Sequence, residues 1–346
     1  MENKQYYMDY LLDILKKVLA IDSPSGYTQE VAEFVVKEYK SLGFTSFITT
    51  KGGVIAELGG ANKDKGIVMA AHIDTLGAMV HEIKGSGRLK AVNIGGLKAN
   101  SIEGENCKVL TRFDGIYEGT FQLQNASLHV NDDFSGVARS YDTLEIVLDE
   151  FVNNKNEVEA LGICAGDMVF VDPRTRITSK GFIKSRFLDD KLSVAILLTY
   201  AKYIAEEKVS LERATYHYIT VYEEVGHGCA SSIPEGVTEI LCVDMGCVGD
   251  GLNCKEHQVS ICAKDSKSPY NYELVTNLVK AAKEHDVDYA VDIYPHYGSD
   301  VDVALSAGYE IKHALIGPGV YASHGYERSH VDGAYNTLKL LMGYNG

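Results

Sequence analysis

Two acidic residues, Glu223 and Glu224, directly follow the apolar run 218–222 and form the most chemically informative pair in the chain. A β-strand sends consecutive side chains to opposite faces, so two adjacent carboxylates at a strand end point apart. One of them can bind a metal ion while its neighbour handles a proton. The pair therefore predicts metal-assisted acid–base chemistry.

Residue types that bind metals recur where other predicted strands end. They are His72 and Asp74 after 67–71, Asp189 in 187–191, Asp244 after 241–243, and His324 in 321–327. Open α/β sheets build their sites at the carboxyl ends of strands. Histidines and carboxylates without cysteine suit a first-row divalent ion such as zinc, cobalt or manganese. A carboxylate that bridges two ions can hold them close enough to act together.

Each of these signals has an ordinary structural interpretation when taken alone. Asp189 can cap the start of a helix, a position where aspartate is favoured. His72 and Asp74 can be a structural pair, and His324 can lie on the surface. Burying an acidic side chain at a strand end costs free energy, however, unless a partner or a metal ion compensates its charge. Their shared strand-end placement therefore favours a metal site.

Hydrophobic periodicity predicts the elements that must position these residues. Alternating helices and strands at both ends of the chain predict an α/β fold. The predicted helices span 1–21, 30–42, 191–205, 271–284 and 331–342, with another opening at 303–307. The predicted strands span 54–58, 67–71, 214–221, 239–243 and 258–263.

The middle of the chain has a different pattern. Short alternating runs divided by Gly, Asn and Asp predict a small β-barrel, with one helix near 140–151. The simplest architecture is an α/β domain formed by 1–75 and 186–346, with a β domain inserted at 76–185.

Composition excludes several classes of function. The net charge is −15, which disfavours nucleic-acid and anionic-membrane partners because both require a basic surface. No apolar run approaches the length of a membrane span. The first 21 residues predict an amphipathic helix rather than a signal peptide. Seven irregularly spaced cysteines predict reduced thiols in a cytoplasmic protein.

Taken together, the motifs resemble the M42 metallo-aminopeptidases, which include the tetrahedral (TET) and the glutamyl or deblocking aminopeptidases. The resemblance covers nearly the whole chain, including the inserted β domain. It rests on the motifs at 71–74, 188–191, 223–226, 243–244, 298–300 and 324–327.

The resemblance implies a zinc-peptidase-like α/β/α catalytic domain and a site with two divalent ions, zinc or cobalt first and manganese next. Asp189 would bridge the two ions. His72 and Asp244 would complete the ligand set of one ion, and Glu224 and His324 would complete that of the other. His330 competes with His324 for the last position, and the spacing to Glu327 favours His324.

The same resemblance implies two catalytic residues and an assembly. Glu223 would be the general base and Asp74 would support the metal shell. The enzyme would remove N-terminal residues from peptides and form a dimer-based homo-oligomer, with a dodecamer as the family pattern. The inserted β domain would serve oligomerisation or substrate access. Two alternatives stay open, namely a metal-dependent deacylase or amidase acting on N-acyl amino acids and a non-catalytic oligomeric scaffold.

Overall fold

The computed structural model describes residues 3–113 and 115–344, and it groups the chain into two compact units. The larger unit comprises Met1–Asp74 and Arg174–Gly346, and the smaller one comprises Thr75–Pro173. The sequence placed the second boundary at 185. Residues 174–185 group with the larger unit because Phe182–Ser185 pairs with Glu327–His330 as a strand.

Helices and strands follow one another along the described residues of both units. The helices are α1 (Lys4–Ala20), α2 (Gln29–Ser41), α3 (Lys155–Ala160), α4 (Leu188–Glu207), α5 (Tyr272–Glu284), α6 (Asp300–Ser306) and α7 (Val331–Tyr344). The strands are β1 (Thr45–Ile48), β2 (Val54–Gly59), β3 (Asn62–His72), β4 (Gly77–Ile83), β5 (Leu89–Ile94), β6 (Asn106–Leu110), β7 (Ile116–Leu123), β8 (Leu144–Leu148), β9 (Met168–Val171), β10 (Arg176–Ile177), β11 (Phe182–Ser185), β12 (Arg213–Thr220), β13 (Val237–Val243), β14 (Gly246–Val248), β15 (Val259–Lys264), β16 (Tyr289–Ile293), β17 (Lys312–Tyr321) and β18 (Glu327–His330).

The larger unit is built on one mixed sheet. Its main path runs β1-β2-β12-β3-β13-β17-β18-β11-β10, and β14, β15 and β16 extend from β17. The pairs β12–β3, β3–β13 and β13–β17 are parallel. Parallel strands are usually buried on both faces, which explains why the second half of β3 is a continuous apolar run.

Helices cover this sheet through apolar faces that the sequence pattern predicts. Helix α1 buries Leu11, Ile14, Leu15 and Val18, which recur at helical spacing. Helix α6 contributes Val301 and Ala304 to one core cluster, which also contains residues of β3 and β13. The predicted α/β class is therefore confirmed.

The smaller unit contains a closed barrel with the strand order β4-β5-β8-β7-β6-β9. The predicted small barrel is confirmed, but the helix predicted near 140–151 is wrong. That stretch contains β8, in which Leu144, Ile146 and Leu148 are buried and alternate with half-buried residues. Alternation with a period of two is the pattern of a strand, and only five residues carry it here.

The C-terminal half contains strands that the sequence did not predict. β17 is ten residues long and forms ladders with β13, β14, β15 and β18. Its Gly317-Pro318-Gly319 segment resembles a turn in sequence, which hid the strand. Among the described helices, none is long and apolar enough to cross a membrane.

Candidate metal centre

The register of the parallel strands brings predicted donors to one edge of the sheet. His72 is the last residue of β3 and pairs with Thr220, the last residue of β12. On the other side of β3, Cys242 of β13 pairs with Ala70. Asp244 follows two residues after Cys242, so it emerges level with His72. These donors therefore meet because three parallel strands end together.

The Glu223–Glu224 pair lies in a tight turn directly after β12. Residues Glu223–Val225 form one 3₁₀ turn, flanked by Tyr222 with φ 65° and Gly226 with φ 83°. A left-handed residue at either end reverses the chain within a few positions. The Glu223 N–H donates to Asp74 Oδ1 at 3.1 Å, which ties this turn to the end of β3.

Asp189 lies between two histidines. Its backbone departs from helical geometry although it stands in the first turn of α4. Its Oδ1 is 3.1 Å from Nε2 of His72, and its Oδ2 is 3.6 Å from Nε2 of His324. His324 Nε2 is also 3.7 Å from Oε2 of Glu224. The two histidines thus approach different oxygens of one carboxylate.

Two groups of donor atoms are compact enough to hold a metal ion. One consists of His72, Asp190 and Asp244, and the other of His72, Asp189 and Glu224; within each group the donor atoms lie within 4.8 Å of one another. Four of the five predicted ligands belong to these groups, and His324, the fifth, lies beside the second group, 3.6 Å from Asp189 and 3.7 Å from Glu224. Asp190 is an addition, since the sequence analysis does not name it as a ligand.

The ring of His72 presents Nε2 to the carboxylate of Asp189. Its Nδ1 lies 2.9 Å from the backbone oxygen of Asp74 and 3.8 Å from the Asp74 carboxylate. A proton on Nδ1 donates to that carbonyl and leaves the lone pair of Nε2 facing the Asp189 carboxylate, 3.1 Å away. The Nε2 lone pair and the Asp189 carboxylate are both acceptors, so a positive charge must lie between them, either a proton or a metal ion. The carbonyl of Asp74, rather than its carboxylate, is the nearer acceptor for Nδ1.

The acids of the cluster show the same need for a cation. Glu224 Oε1 is buried and has no hydrogen-bond partner among the described residues. Burial raises the pKa of Glu224 well above its usual range, and the Asp189 carboxylate raises it further. Burial likewise raises the pKa of Asp244 to about 7, with Asp189 adding to the effect. A set of histidine and carboxylate donors in this state fits a divalent ion.

The electrostatic environment separates Asp189 and His72 from the other groups. Burial alone would raise the pKa of Asp189, but the hydrogen bond and charge of His72 lower it below its ordinary value. Burial alone would lower the pKa of His72, yet the Glu223 carboxylate and the other acids hold it well above the usual range. Asp189 is therefore the carboxylate of this cluster that most readily carries a charge.

Glu223 occupies a different position from Glu224. Its Oε2 lies 3.7 Å from Nε2 of His72. Burial raises the pKa of Glu223 well above the ordinary value, while His72 partly offsets the rise. An acid with a raised pKa beside a cluster of metal ligands suits proton transfer near neutral pH.

His330, the competing candidate, has both ring nitrogens engaged elsewhere. Its Nε2 bonds to the Lys180 carbonyl at 2.8 Å, and its Nδ1 accepts the Asp332 N–H at 3.0 Å. Its ring packs edge-on against Phe182. These contacts describe a structural histidine at the end of β18, away from the approach that His324 makes to Asp189.

Two supporting residues escaped sequence reasoning. Glu327, which served only to fix the spacing to His324, accepts the His324 N–H and the Asp189 N–H, each at 3.1 Å. Ser25, in a loop that carried no functional signal, donates to Asp74 Oδ2 at 2.5 Å. The Glu327 spacing was the available clue for the first, and none existed for the second because its partner is distant in sequence.

Comparison with known proteins now identifies relatives. The sequence model of the M42 glutamyl aminopeptidase family matches residues 52–340. The Bacillus subtilis (strain 168) protein named "Putative aminopeptidase YhfE" is 45% identical over 333 residues, covering 96% of each chain.

Solved structures agree in fold. An aminopeptidase from the archaeon Desulfurococcus kamchatkensis superposes with a TM-score of 0.86 at 22% identity, covering 99% of this chain and 95% of that one. The Pyrococcus horikoshii TET1 peptidase superposes with a TM-score of 0.85 at 22% identity, covering 97% and 99%. At these identities the likeness establishes the architecture.

Proposed function

The chain belongs to the M42 glutamyl aminopeptidase family and is an aminopeptidase, and we propose that it works with two divalent metal ions bridged by Asp189 and with Glu223 as general base. The observation that carries this proposal is the approach of His72 and His324 to different oxygens of Asp189. His72 and Asp244 would serve one ion, and Glu224 and His324 the other. Zinc or cobalt fits this donor set best, with manganese as the next choice.

When bound, the ions would supply Lewis acidity that polarises the scissile carbonyl, lowers the pKa of water and receives the free α-amino group of a peptide. Most of the side chains proposed to hold them are buried, which strengthens electrostatic interactions because water does not screen them. The other parts of the reaction fall to side chains of this chain.

Glu223 is the group that moves the proton. Its carboxylate takes a proton from the attacking water and returns it to the leaving amine. The bond from the Glu223 N–H to Asp74 fixes the backbone, and the burial that raises its pKa favours holding that proton between the two steps. Asp74 acts in this scheme as a positioning residue, since its carboxylate accepts from Ser25 and Glu223.

The decisive experiment compares free and N-acylated aminoacyl fluorogenic substrates after treatment with EDTA and restoration of zinc, cobalt or manganese. We expect metal-restored cleavage of the free aminoacyl substrates. Cleavage of N-acylated substrates alone would favour a deacylase, and no cleavage of either set with any metal would favour a scaffold. A panel of side chains in the free substrates would then define the preference at the peptide N-terminus.

We further propose a homo-oligomer built from dimers, with a dodecamer as the expected assembly and the smaller unit contributing contacts or controlling substrate access. The Pyrococcus horikoshii TET1 peptidase assembles into a tetrahedron or a large octahedral shell, which supports this proposal. Light scattering on the full chain should give a mass that is an even multiple of the protomer; a monomer at all concentrations would contradict it.

The cellular setting is proposed on separate grounds. The seven cysteines are free, and most are buried. Free thiols in the core are typical of a reducing compartment, which supports a cytoplasmic enzyme acting on peptides.

A further inference from the structure

Asp300 belongs to the sequence motif 298–300, which the proposed metal set leaves without a role. Its side chain is 1% exposed. It is the first residue of α6, but the start of that helix is served by other groups: the Ser299 N–H donates to Asp302 Oδ2 at 3.1 Å. The Asp300 carboxylate is therefore available to bind outside its own helix.

Both oxygens of this carboxylate bind the segment that carries Glu223 and Glu224. The Thr220 hydroxyl, at the end of β12, donates to Asp300 Oδ2. The Cys229 N–H donates to Asp300 Oδ1 at 3.2 Å. One carboxylate thus ties together the two ends of the turn 221–228.

The fit around this carboxylate is close. Gly228 packs so near it that a Cβ at this position would overlap Asp300 Oδ1. A side chain at position 228 would therefore displace either the turn or the carboxylate. Glycine at 228 is explained by this close approach rather than by its backbone angles.

Lys51 holds the same segment from its carbonyl side. Its ammonium donates to the backbone oxygen of His227 at 2.6 Å and to that of Gly228. The Asp300 carboxylate binds the Cys229 N–H, which belongs to the same peptide group as the Gly228 carbonyl. A cation and an anion from distant segments therefore bind opposite sides of the peptide group that joins residues 228 and 229, a few residues after Glu223 and Glu224.

We propose that Asp300 is a positioning residue that fixes the turn bearing Glu223 and Glu224, with Lys51 as its partner on the carbonyl side. Its effect is to hold Glu223 near His72 and Glu224 near Asp189 by binding the backbone on either side of the two acids. The inference deepens the proposed function and rests on the roles assigned there to Glu223 and Glu224.

The test compares Asp300→Ala, Thr220→Val and Lys51→Met with Asp302→Ala as the matched control. Asp302 is an acid on the same helix that binds the Ser299 N–H and contacts the Ser268 hydroxyl. Hydrogen–deuterium exchange of the metal-free full chain is measured over residues 221–229. We expect at least tenfold faster exchange there in Asp300→Ala and a smaller increase in Thr220→Val and Lys51→Met, with no increase in Asp302→Ala.

Steady-state kinetics of the metal-loaded protein give a second readout. We expect kcat of Asp300→Ala to fall about 100-fold with KM changed less than about threefold, because a displacement of about 1 Å in a catalytic group can cost that much. Asp302→Ala should keep its kcat. Asp300→Asn, which can still accept from Cys229, should recover part of the loss.

The positioning role would be overturned if hydrogen–deuterium exchange over residues 221–229 is no faster in Asp300→Ala and Thr220→Val than in Asp302→Ala. Thr220→Val alone decides the matter if Asp300→Ala does not fold, since valine keeps the shape of threonine. Faster exchange in these variants together with a wild-type protein that cleaves no peptide would contradict the proposed function and leave the positioning of the turn intact.

Discussion

The site combines two kinds of donor that the fold positions in different ways. His72 and Asp244, the strand-end donors, lie at the ends of β3 and β13 and are at most 3% exposed. Glu224 and His324, the turn donors, lie in turns with left-handed residues, and the side chain of His324 is 39% exposed. The β-ladder fixes the first pair, and side-chain hydrogen bonds fix the second.

The difference assigns separate tasks to the two pairs. The strand-end donors are positioned when the sheet forms. No further conformational entropy is therefore lost in placing their backbone when a metal ion binds. The turn donors depend on Glu327, Asp74 and Asp300, which bind the backbone of the segments that carry them. Exposure differs within the turn pair, since the side chain of His324 is 39% exposed and that of Glu224 is 4% exposed.

The largest effect is expected from Glu223→Gln. The substitution keeps the size of the side chain but removes the proton acceptor, so kcat should fall by roughly 10²- to 10⁴-fold, the usual contribution of general acid–base catalysis. The metal content should not change, which is checked by mass spectrometry of the dialysed protein. Near-wild-type turnover would show that the turn contributes ligands but no base.

A pair of histidine variants separates the two kinds of donor directly. His72→Ala and His324→Ala should both weaken metal binding by more than the roughly 10- to 100-fold that outer-shell changes cost. In the metal-free protein, His72→Ala should also lower stability by about 1–3 kcal/mol because it leaves buried polar partners unpaired.

His324→Ala should cost the metal-free protein less than about 0.5 kcal/mol, as is usual for a substitution at an exposed position. Cobalt titration and thermal unfolding provide the two readouts. Equal losses of stability in the two variants would remove the distinction between strand-end and turn donors.

Glu327→Gln tests how the turn donors are held. Its carboxylate accepts from the His324 and Asp189 amides, and an amide side chain can accept through only one of its two terminal atoms. Metal affinity should fall about 10- to 100-fold, as for other outer-shell partners. Glu256→Gln, which alters an acid bound to Arg328, is the control and should leave metal affinity unchanged. An equal effect of both variants would contradict the role given to Glu327.

The smallest effect concerns the strand framework alone. His217 of β12 is fully buried, binds the Tyr39 hydroxyl at 2.9 Å, and burial lowers its pKa to about 3. Between pH 6.5 and 3 the unfolded chain binds a proton at this position that the folded chain does not. Its stabilising contribution is therefore complete above the unfolded pKa and is lost as the pH falls towards the folded one.

The measurement for His217 is thermal unfolding of the wild type and His217→Asn at pH 7.5 and 5.5. The pH of 5.5 is one unit below the pKa of histidine in the unfolded chain. At this pH the wild type should have lost about 1.4 kcal/mol of its free energy of unfolding through His217. Between pH 7.5 and 5.5, the free energy of unfolding of His217→Asn should therefore fall by about 1.4 kcal/mol less than that of the wild type. Parallel pH profiles for the two proteins would show that His217 does not titrate between the two states as described.

The two kinds of donor also explain how much the sequence could predict. His72 and Asp244 follow apolar strands, so their convergence follows from strand direction alone. Asp190 and Glu327 were beyond this reasoning because their roles depend on the local path of α4 and of the turn after β17. The helix predicted near 140–151 failed because a strand of five residues offers too few positions to reveal its period.

Family resemblance supplied what the residue pattern could not. The pattern left the pairing of ligands open, and only the resemblance preferred His324 over His330. The structure adds a physical reason, since both ring nitrogens of His330 already bind backbone groups. The position of Asp300 beside Gly228 depends on a contact between distant segments, which no local pattern in the sequence encodes.

Counting the metal ions bound at equilibrium tests the central claim most directly. EDTA-stripped wild type and Asp189→Asn are titrated with cobalt, and bound metal per chain is measured together with cleavage of a free aminoacyl substrate. The bridged arrangement predicts two ions per wild-type chain and weakened binding of both in Asp189→Asn, because each ion would lose the carboxylate that the two are proposed to share. A wild type fully active with one ion, or an Asp189→Asn variant that retains two tightly bound ions, would contradict it.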